Sequence, residues 1–306
     1  MSAIGVLVMA YGGPNTLDEV EPYLLDVRGG RPTPAHLVEE VRERYRKIGG
    51  RSPIAERTAA QADALRRVLA SNGDGFRVTV GMRHWQPKVA QALAGLREQG
   101  VERAVGLVLA PHFSKLSIGA YWDAVEQAGS GIEVARIDSW HLVPGYVEAL
   151  AANVRGALLR FRESERAGIP VVFTAHSLPQ RIAQWSDPYA EQLRATMDAV
   201  VARLGDHPHR FAFQSAGMSP EPWLGPDVGD VVAELAAGGS AGAVIAPIGF
   251  VSDHVEILYD IDIELMARAR ELGIRLERTR MLNDDPLMIA GLAGVVRERA
   301  RAAGWM

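Results

Sequence analysis

The chain has 306 residues, 48% hydrophobic and 23% charged, with a formal net charge of −4 and no cysteine. That is ordinary globular composition, at a length that suits two domains with ample core. The charge gives no electrostatic case for nucleic acid, and without thiols there are no disulfides, no thiolate metal sites and no cysteine-ligated iron–sulfur cluster.

No apolar run reaches the roughly 18 residues that a membrane span needs. The start, Met1-Ser2-Ala3-Ile4, lacks a basic n-region and runs straight into a strand. A reducing cytoplasm is the expected setting, and a monomer the expected state. Ile4 to Ala10 reads as a buried strand, ended by Tyr11-Gly12-Gly13-Pro14. Thr16 to Glu19 has capping-box spacing, so a helix is expected toward Arg28. Thr33 and Pro34 read as N-cap and first residue of a second helix, to about Ile48. A third helix covers Ile54 to Ala70 and stops near Gly73. From there strands and helices alternate. Strands are expected at Phe76–Gly81, Ala104–Ala110 and Ile132–Ile137, with helices at Lys88–Glu98 and Ser117–Gln127 between them.

A long helix from Pro144 leads into Val171-Val172-Phe173-Thr174-Ala175-His176, an apolar strand that ends abruptly in an imidazole. The second half repeats the theme. Strands are expected at Arg210–Gln214, Ala243–Pro247 and Ile274–Arg278, with helices at 187–204, 227–236, 253–272 and 286–302. Such alternation predicts an α/β fold of parallel sheets with helices on both faces. Four strands fall in each half, and the halves match in detail. Both Val6 to Pro14 and Val171 to Pro179 are an apolar strand, an alanine, a polar aromatic ring (Tyr11 or His176), two residues and a proline. We read two similar Rossmann-like domains, 1–143 and 144–306, whose carboxyl edges face one cleft. The last helix, about 286–302, is expected to pack back on the first domain. No Gly-x-Gly-x-x-Gly follows a strand, so a dinucleotide site is poorly supported.

Three groups of residues carry chemistry. His176 stands at a strand end, where an α/β sheet places its ligands; a capping or core histidine is the bland alternative. Glu256, Asp260 and Glu264 are spaced i, i+4, i+8 along one helix face. They are either a solvated acidic face or a line of carboxylates suited to a divalent cation or a proton relay. Arg28, Arg31, Arg42, Arg44, Arg46, Lys47 and Arg51 crowd one segment. Arginine clamps carboxylates by paired hydrogen bonds, which implies a ligand with several carboxylates.

The motifs resemble those of ferrochelatases, and most closely the coproporphyrin III branch of Gram-positive bacteria. The matching pieces are Leu7-Val8-Met9-Ala10-Tyr11-Gly12, Tyr45-Arg46-Lys47-Ile48-Gly49-Gly50-Arg51-Ser52-Pro53 and Leu109-Ala110-Pro111-His112-Phe113-Ser114. They continue through Ala175-His176-Ser177-Leu178-Pro179, Gln214-Ser215, Trp223-Leu224-Gly225-Pro226-Asp227-Val228 and the run Gly249 to Tyr259. The resemblance implies a chelatase-type pair of Rossmann-like domains, with a porphyrin-facing helical insertion in the first. It implies insertion of Fe²⁺ into coproporphyrin III, with iron as substrate and no resident cofactor or iron–sulfur cluster. His176 and Glu256 become the catalytic pair and metal contacts, and Asp260 and Glu264 a proton or metal relay. Tyr11 becomes the axial ligand of the product iron; Arg28, Arg44, Tyr45, Ser52 and Tyr121 join it in holding the porphyrin. A transient contact with the next enzyme of the heme pathway is also implied. A protoporphyrin IX ferrochelatase, another tetrapyrrole chelatase such as a cobalt-inserting one, and a non-catalytic porphyrin or metal carrier are the alternatives. The sequence departs from relatives at Ala216-Gly217, where a charged residue is frequent, and it lacks the cysteines of cluster-bearing relatives.

Overall fold

The computed structural model describes residues 3–71, 75–217 and 219–306. The end expected for the third helix near Gly73 lies outside them. Two four-stranded sheets form the frame. In the first, β1 (Ile4–Ala10), β2 (Phe76–Met82), β3 (Arg103–Val108) and β4 (Glu133–Ile137) take the order β2-β1-β3-β4. In the second, β5 (Val171–His176), β6 (His209–Gln214), β7 (Gly242–Pro247) and β8 (Arg275–Arg278) take the order β6-β5-β7-β8. Every pairing is parallel, with Val6 facing Val78 and Val105, and Phe173 facing Phe211 and Ala246. The two halves therefore share one topology, as their matching strand sequences lead one to expect. In each sheet the strand order reverses beside the central strand, between β1 and β3 and between β5 and β7. Crevices outside the carboxyl edge open at such points.

The helices are α1 (Val20–Val27), α2 (Ala35–Lys47), α3 (Ile54–Ala70), α4 (Val89–Glu98), α5 (Ala120–Gln127), α6 (Pro144–Leu158) and the short α7 (Glu163–Arg166). They continue as α8 (Tyr189–Leu204), α9 (Val228–Ala237), α10 (Val255–Leu258), α11 (Met266–Glu271) and α12 (Pro286–Ala302). Side chains alternate across each strand, and both faces are buried. Val6, Val8, Val171 and Phe173 point into one large core with Leu65 of α3, Tyr146 of α6 and Leu292 of α12. Leu7 and Met9 point the other way, against Leu93 and Trp122; Val172 and Ile245 face Val232 and Ile261. The large core runs without a break through both halves. α12 packs on α3, β3 and β4 of the first half as well as on α6, and its Arg299 Nε donates to Arg136 O at 2.9 Å.

Several expected ends move. Thr16 caps nothing with its side chain; Glu19 reaches back instead to Asn15 N–H at 2.6 Å, and a single 3₁₀ turn precedes α1. α2 starts one residue late, capped by Pro34, because extended Pro34 (ψ 138°) cannot open a helix. The expected helix 253–272 is broken into three. Tyr259 O accepts from both Ile263 N (3.1 Å) and Glu264 N (3.0 Å), which opens a π-helical stretch over Asp260–Leu265 between α10 and α11. The extra residue in that turn destroys the common face foreseen for Glu256, Asp260 and Glu264.

Candidate active site

His176 closes β5, where strand pairing fixes its backbone opposite Gln214 of β6. The Tyr189 hydroxyl donates to His176 O at 3.0 Å. Its ring nitrogen Nδ1 lies against Ser177 O. A carbonyl can only accept, so Nδ1 carries a proton, and in the neutral ring it is Nε2 that presents the lone pair. That Nε2 lies 3.6 Å from Glu256 Oε2.

Glu256 sits in the first turn of α10. A second imidazole, His254, has Nδ1 3.0 Å from Ser252 O and Nε2 3.9 Å from the same Glu256 oxygen. Both imidazoles therefore have Nδ1–H tied to backbone and Nε2 turned to one carboxylate. Neither approach is of hydrogen-bond length, and Oε2 is buried with no donor. Burial pushes the Glu256 carboxyl up, but His176 and His254 outweigh it and the net direction is down. Burial likewise opposes the charged form of His254, and Glu256 reverses this, raising it above the ordinary imidazole value. Phe250 packs beside both rings, with centroids 6.4 Å from His176 and 4.4 Å from His254.

Tyr11 follows the end of β1 on the other half. The turn beyond it needs Gly12 at φ +92°, where a Cβ would also fall 2.8 Å from Trp85 Cβ. The Tyr11 ring lies 4.6 Å from the His84 ring, and the Arg83 guanidinium is 5.9 Å from it and 5.7 Å from Tyr121. Asp26 holds His84 Nδ1 at 2.9 Å and also binds Lys88 Nζ. Desolvation between the cleft walls raises the Tyr11 hydroxyl to about 12, against the pull of Arg83. Tyr45 and Tyr121, deeply buried, are raised by burial too.

Tyr11, Tyr45, Ser52, Tyr121, His176 and Glu256 line one cavity of about 360 Å³ between the two sheets, within the range of small-molecule sites. The other four expected residues stand outside its lining. Arg44 pairs with Glu40 at 2.9 Å and faces Asp260 at 3.7 Å, behind the cavity. Asp260 also takes the Ser215 hydroxyl, and burial, the largest influence, lifts its carboxyl from 3.8 to about 6. Arg28 and Glu264 are exposed. Arg83, His254, Tyr189 and His112 line the cavity without having been singled out for it. Arg83 and His254 had one available signal, since both follow a strand end directly or by one loop. Among the described residues, no group of three or more His, Asp or Glu side chains is arranged to hold a metal ion.

The fold, two four-stranded parallel sheets with helices on both faces, is the one that solved two-domain chelatases share. The solved structures that resemble it include SirB from Bacillus subtilis with Fe³⁺ (TM-score 0.63, 11% identity, covering 99% of this chain and 98% of that one). CbiX, described as the terminal enzyme of siroheme biosynthesis in denitrifying bacteria, is similar at a TM-score of 0.56, with 15% identity over 98% of this chain and 99% of its own. At such identities the likeness concerns the fold alone. Within this class the sequence is specific: the ferrochelatase family model matches residues 3–300. A ferrochelatase of Deinococcus radiodurans is 45% identical over 97% of this chain and 96% of its own length. A coproporphyrin III ferrochelatase of Geobacillus kaustophilus is 40% identical over 96% of this chain and 95% of its own. The chain belongs to the ferrochelatase family.

Proposed function

We propose that this ferrochelatase inserts Fe²⁺ into coproporphyrin III in heme biosynthesis, in the cytoplasm and as a monomer. The observation that carries the reading is the pairing of Tyr11 from one sheet with His176 and Glu256 from the other around a single cavity. Insertion exchanges two pyrrole N–H protons for a dication, so it needs an acceptor on the ring's face. His176 Nε2 has the lone pair for this task, as proton acceptor or metal contact, with Glu256 as partner. General-base help of this kind is worth about 10²–10⁴ in rate. Asp260 and Glu264 carry protons or metal between this pair and the surface. Tyr11 oxygen meets the product iron from the other face.

The branch assignment draws on the same wall. Coproporphyrin carries four propionates where protoporphyrin carries two. Arg83 in the lining supplies a cation for them, with Tyr45, Ser52 and Tyr121 as hydroxyl donors; Arg28 and Arg44, outside the lining, are proposed to reach the outer propionates. Iron is a substrate, no resident cofactor takes part, and product passes by transient contact to the next enzyme of the pathway. The test is anaerobic metalation followed by absorbance, with coproporphyrin III and protoporphyrin IX in parallel, each offered Fe²⁺ and then Co²⁺. Faster turnover of coproporphyrin with Fe²⁺ is expected. Faster turnover of protoporphyrin, or a preference for Co²⁺, transfers the chain to the corresponding alternative, and binding without turnover makes it a carrier.

A further inference from the structure

β6 ends on Gln214 and Ser215 follows it, and the catalytic reading leaves both without a task. Gln214 is buried, and three hydrogen bonds fix it. Its backbone carbonyl accepts from Ser177 N–H at 2.8 Å, one residue beyond His176. Its side-chain Nε2 donates to Glu256 O at 2.9 Å. Its Oε1 accepts from the Thr174 hydroxyl at 2.7 Å. The amide orientation follows from chemistry, since the Glu256 carbonyl must face the NH₂ group and leaves Oε1 for the Thr174 hydroxyl. One residue thus touches the chain beside His176 and the chain at Glu256, and Thr174, on the strand that carries His176, locks its side chain.

Ser215 adds a second grip. A strand continued past Gln214 would turn the next side chain to the opposite face, yet Gln214 reaches residue 256 and Ser215, just beyond the strand, reaches Asp260, one turn further along the same segment. Ser215 manages this with φ +56°, a left-handed conformation unusual for a residue with a Cβ. Such backbone outliers persist where the surroundings over-determine them, and they cluster at functional sites. Close packing across the gap limits slack on the other side. A Cβ on Gly249 would come within 2.6 Å of Ala175 Cβ, and Thr174 O accepts from both Ile248 N (2.9 Å) and Gly249 N (3.2 Å). Backbone hydrogen bonds thus join the β5 end to the β6 end and to the loop after β7, and the Gln214 side chain adds the tie that reaches on to residue 256.

We propose that Gln214 and Thr174 are positioning residues that set the separation of His176 Nε2 from Glu256, with Ser215 holding Asp260 in line behind. None of them touches substrate in this scheme. The inference rests on the reading of His176 and Glu256 as the inserting pair. It predicts a loss in the chemical step with binding untouched, because misplacement of reacting groups by a fraction of an ångström slows turnover without altering the cavity wall.

The experiment compares Thr174→Val, Thr174→Ser and Gln214→Met with the unaltered protein in steady-state metalation of coproporphyrin III. Porphyrin Kd is read from tryptophan quenching and folding from the thermal melt. Thr174→Val, nearly isosteric, is expected to lower kcat about tenfold with KM and Kd within twofold. Thr174→Ser keeps the hydroxyl and is expected to restore kcat to within threefold; Gln214→Met is expected to lose more than Thr174→Val. Unaltered kcat in folded Thr174→Val and Gln214→Met overturns the proposal, as does a Thr174→Ser no better than the valine. Glu256→Gln in the same assay separates the two levels. If it remains active, the inserting pair itself is wrong; if it is inactive while Thr174→Val and Gln214→Met are normal, only the positioning role fails.

Discussion

Tyr11 directly follows, and His176 closes, a central strand in two sheets with the same strand order, and both reach the same cavity. Their surroundings have diverged. The phenol stands among Tyr45, Tyr121, His84 and the Arg83 guanidinium; the residue is 39% exposed, and crowding of its hydroxyl by the cleft pushes it up. The imidazole faces a carboxylate that two histidines keep ionised. Duplicated topology thus supplies two opposed strand ends, and the loops after β2 and β7 decide what each end does. A reaction that strips protons from a flat ring and then holds an ion in it has use for unlike faces. In the proposed reaction the wall of the second half moves protons and metal, and that of the first grips the ring and its product.

The largest effect falls on the second wall. His176→Ala should abolish turnover, a loss of about 10²–10⁴, while the thermal melt moves little, since the side chain is about one-third exposed and its Nδ1 bond is local. Full activity in that variant would erase the difference between the walls. The first wall should respond differently. Tyr11→Phe is expected to keep insertion within about tenfold but to remove the phenolate-to-iron charge-transfer absorption of bound ferric coproporphyrin. An unchanged spectrum would show that iron takes no ligand from that side.

A smaller effect concerns the acidic segment behind the second wall. The Asp260 carboxyl is raised by burial from 3.8 to about 6. The folded state therefore holds a proton that the unfolded chain has released between those values. Stability contributed by the protonated form is present below about pH 4 and lost as pH rises to about 6. Asp260→Asn should raise the melting temperature at pH 8, by at most about 3 kcal/mol of stability, and leave it nearly unchanged at pH 4. Destabilisation at pH 8 would mean that the Arg44 and Ser215 contacts outweigh burial.

The frame was legible because its signals are local. Buried strands announce themselves as apolar runs closed by glycine or proline, and the imidazole after Val171–Ala175 and the phenol after Ile4–Ala10 mark two strand ends that the fold brings to one cavity. The breaks were not. The double acceptance at Tyr259 O is one such break, in a segment whose Asp260 also meets Ser215 and Arg44, and the helical period gives no warning of it. It leaves Glu256 in the cavity, Asp260 behind it and Glu264 at the surface. Thr16 fits the capping pattern but lost its expected partner, Glu19, to Asn15 N–H. His254 escaped notice because its meaning depends on an oxygen it meets only once the loop is folded. Arg83 similarly gains its place from stacking between Tyr11 and Tyr121, residues far apart in sequence.

The unlikeness of the two walls is tested most directly by single-turnover stopped-flow metalation of coproporphyrin III, with Glu256→Gln and Tyr11→Phe measured side by side. The account predicts a rate at least about a hundredfold lower for Glu256→Gln and within about tenfold of the unaltered protein for Tyr11→Phe. Equal losses, or the reverse ranking, would contradict it.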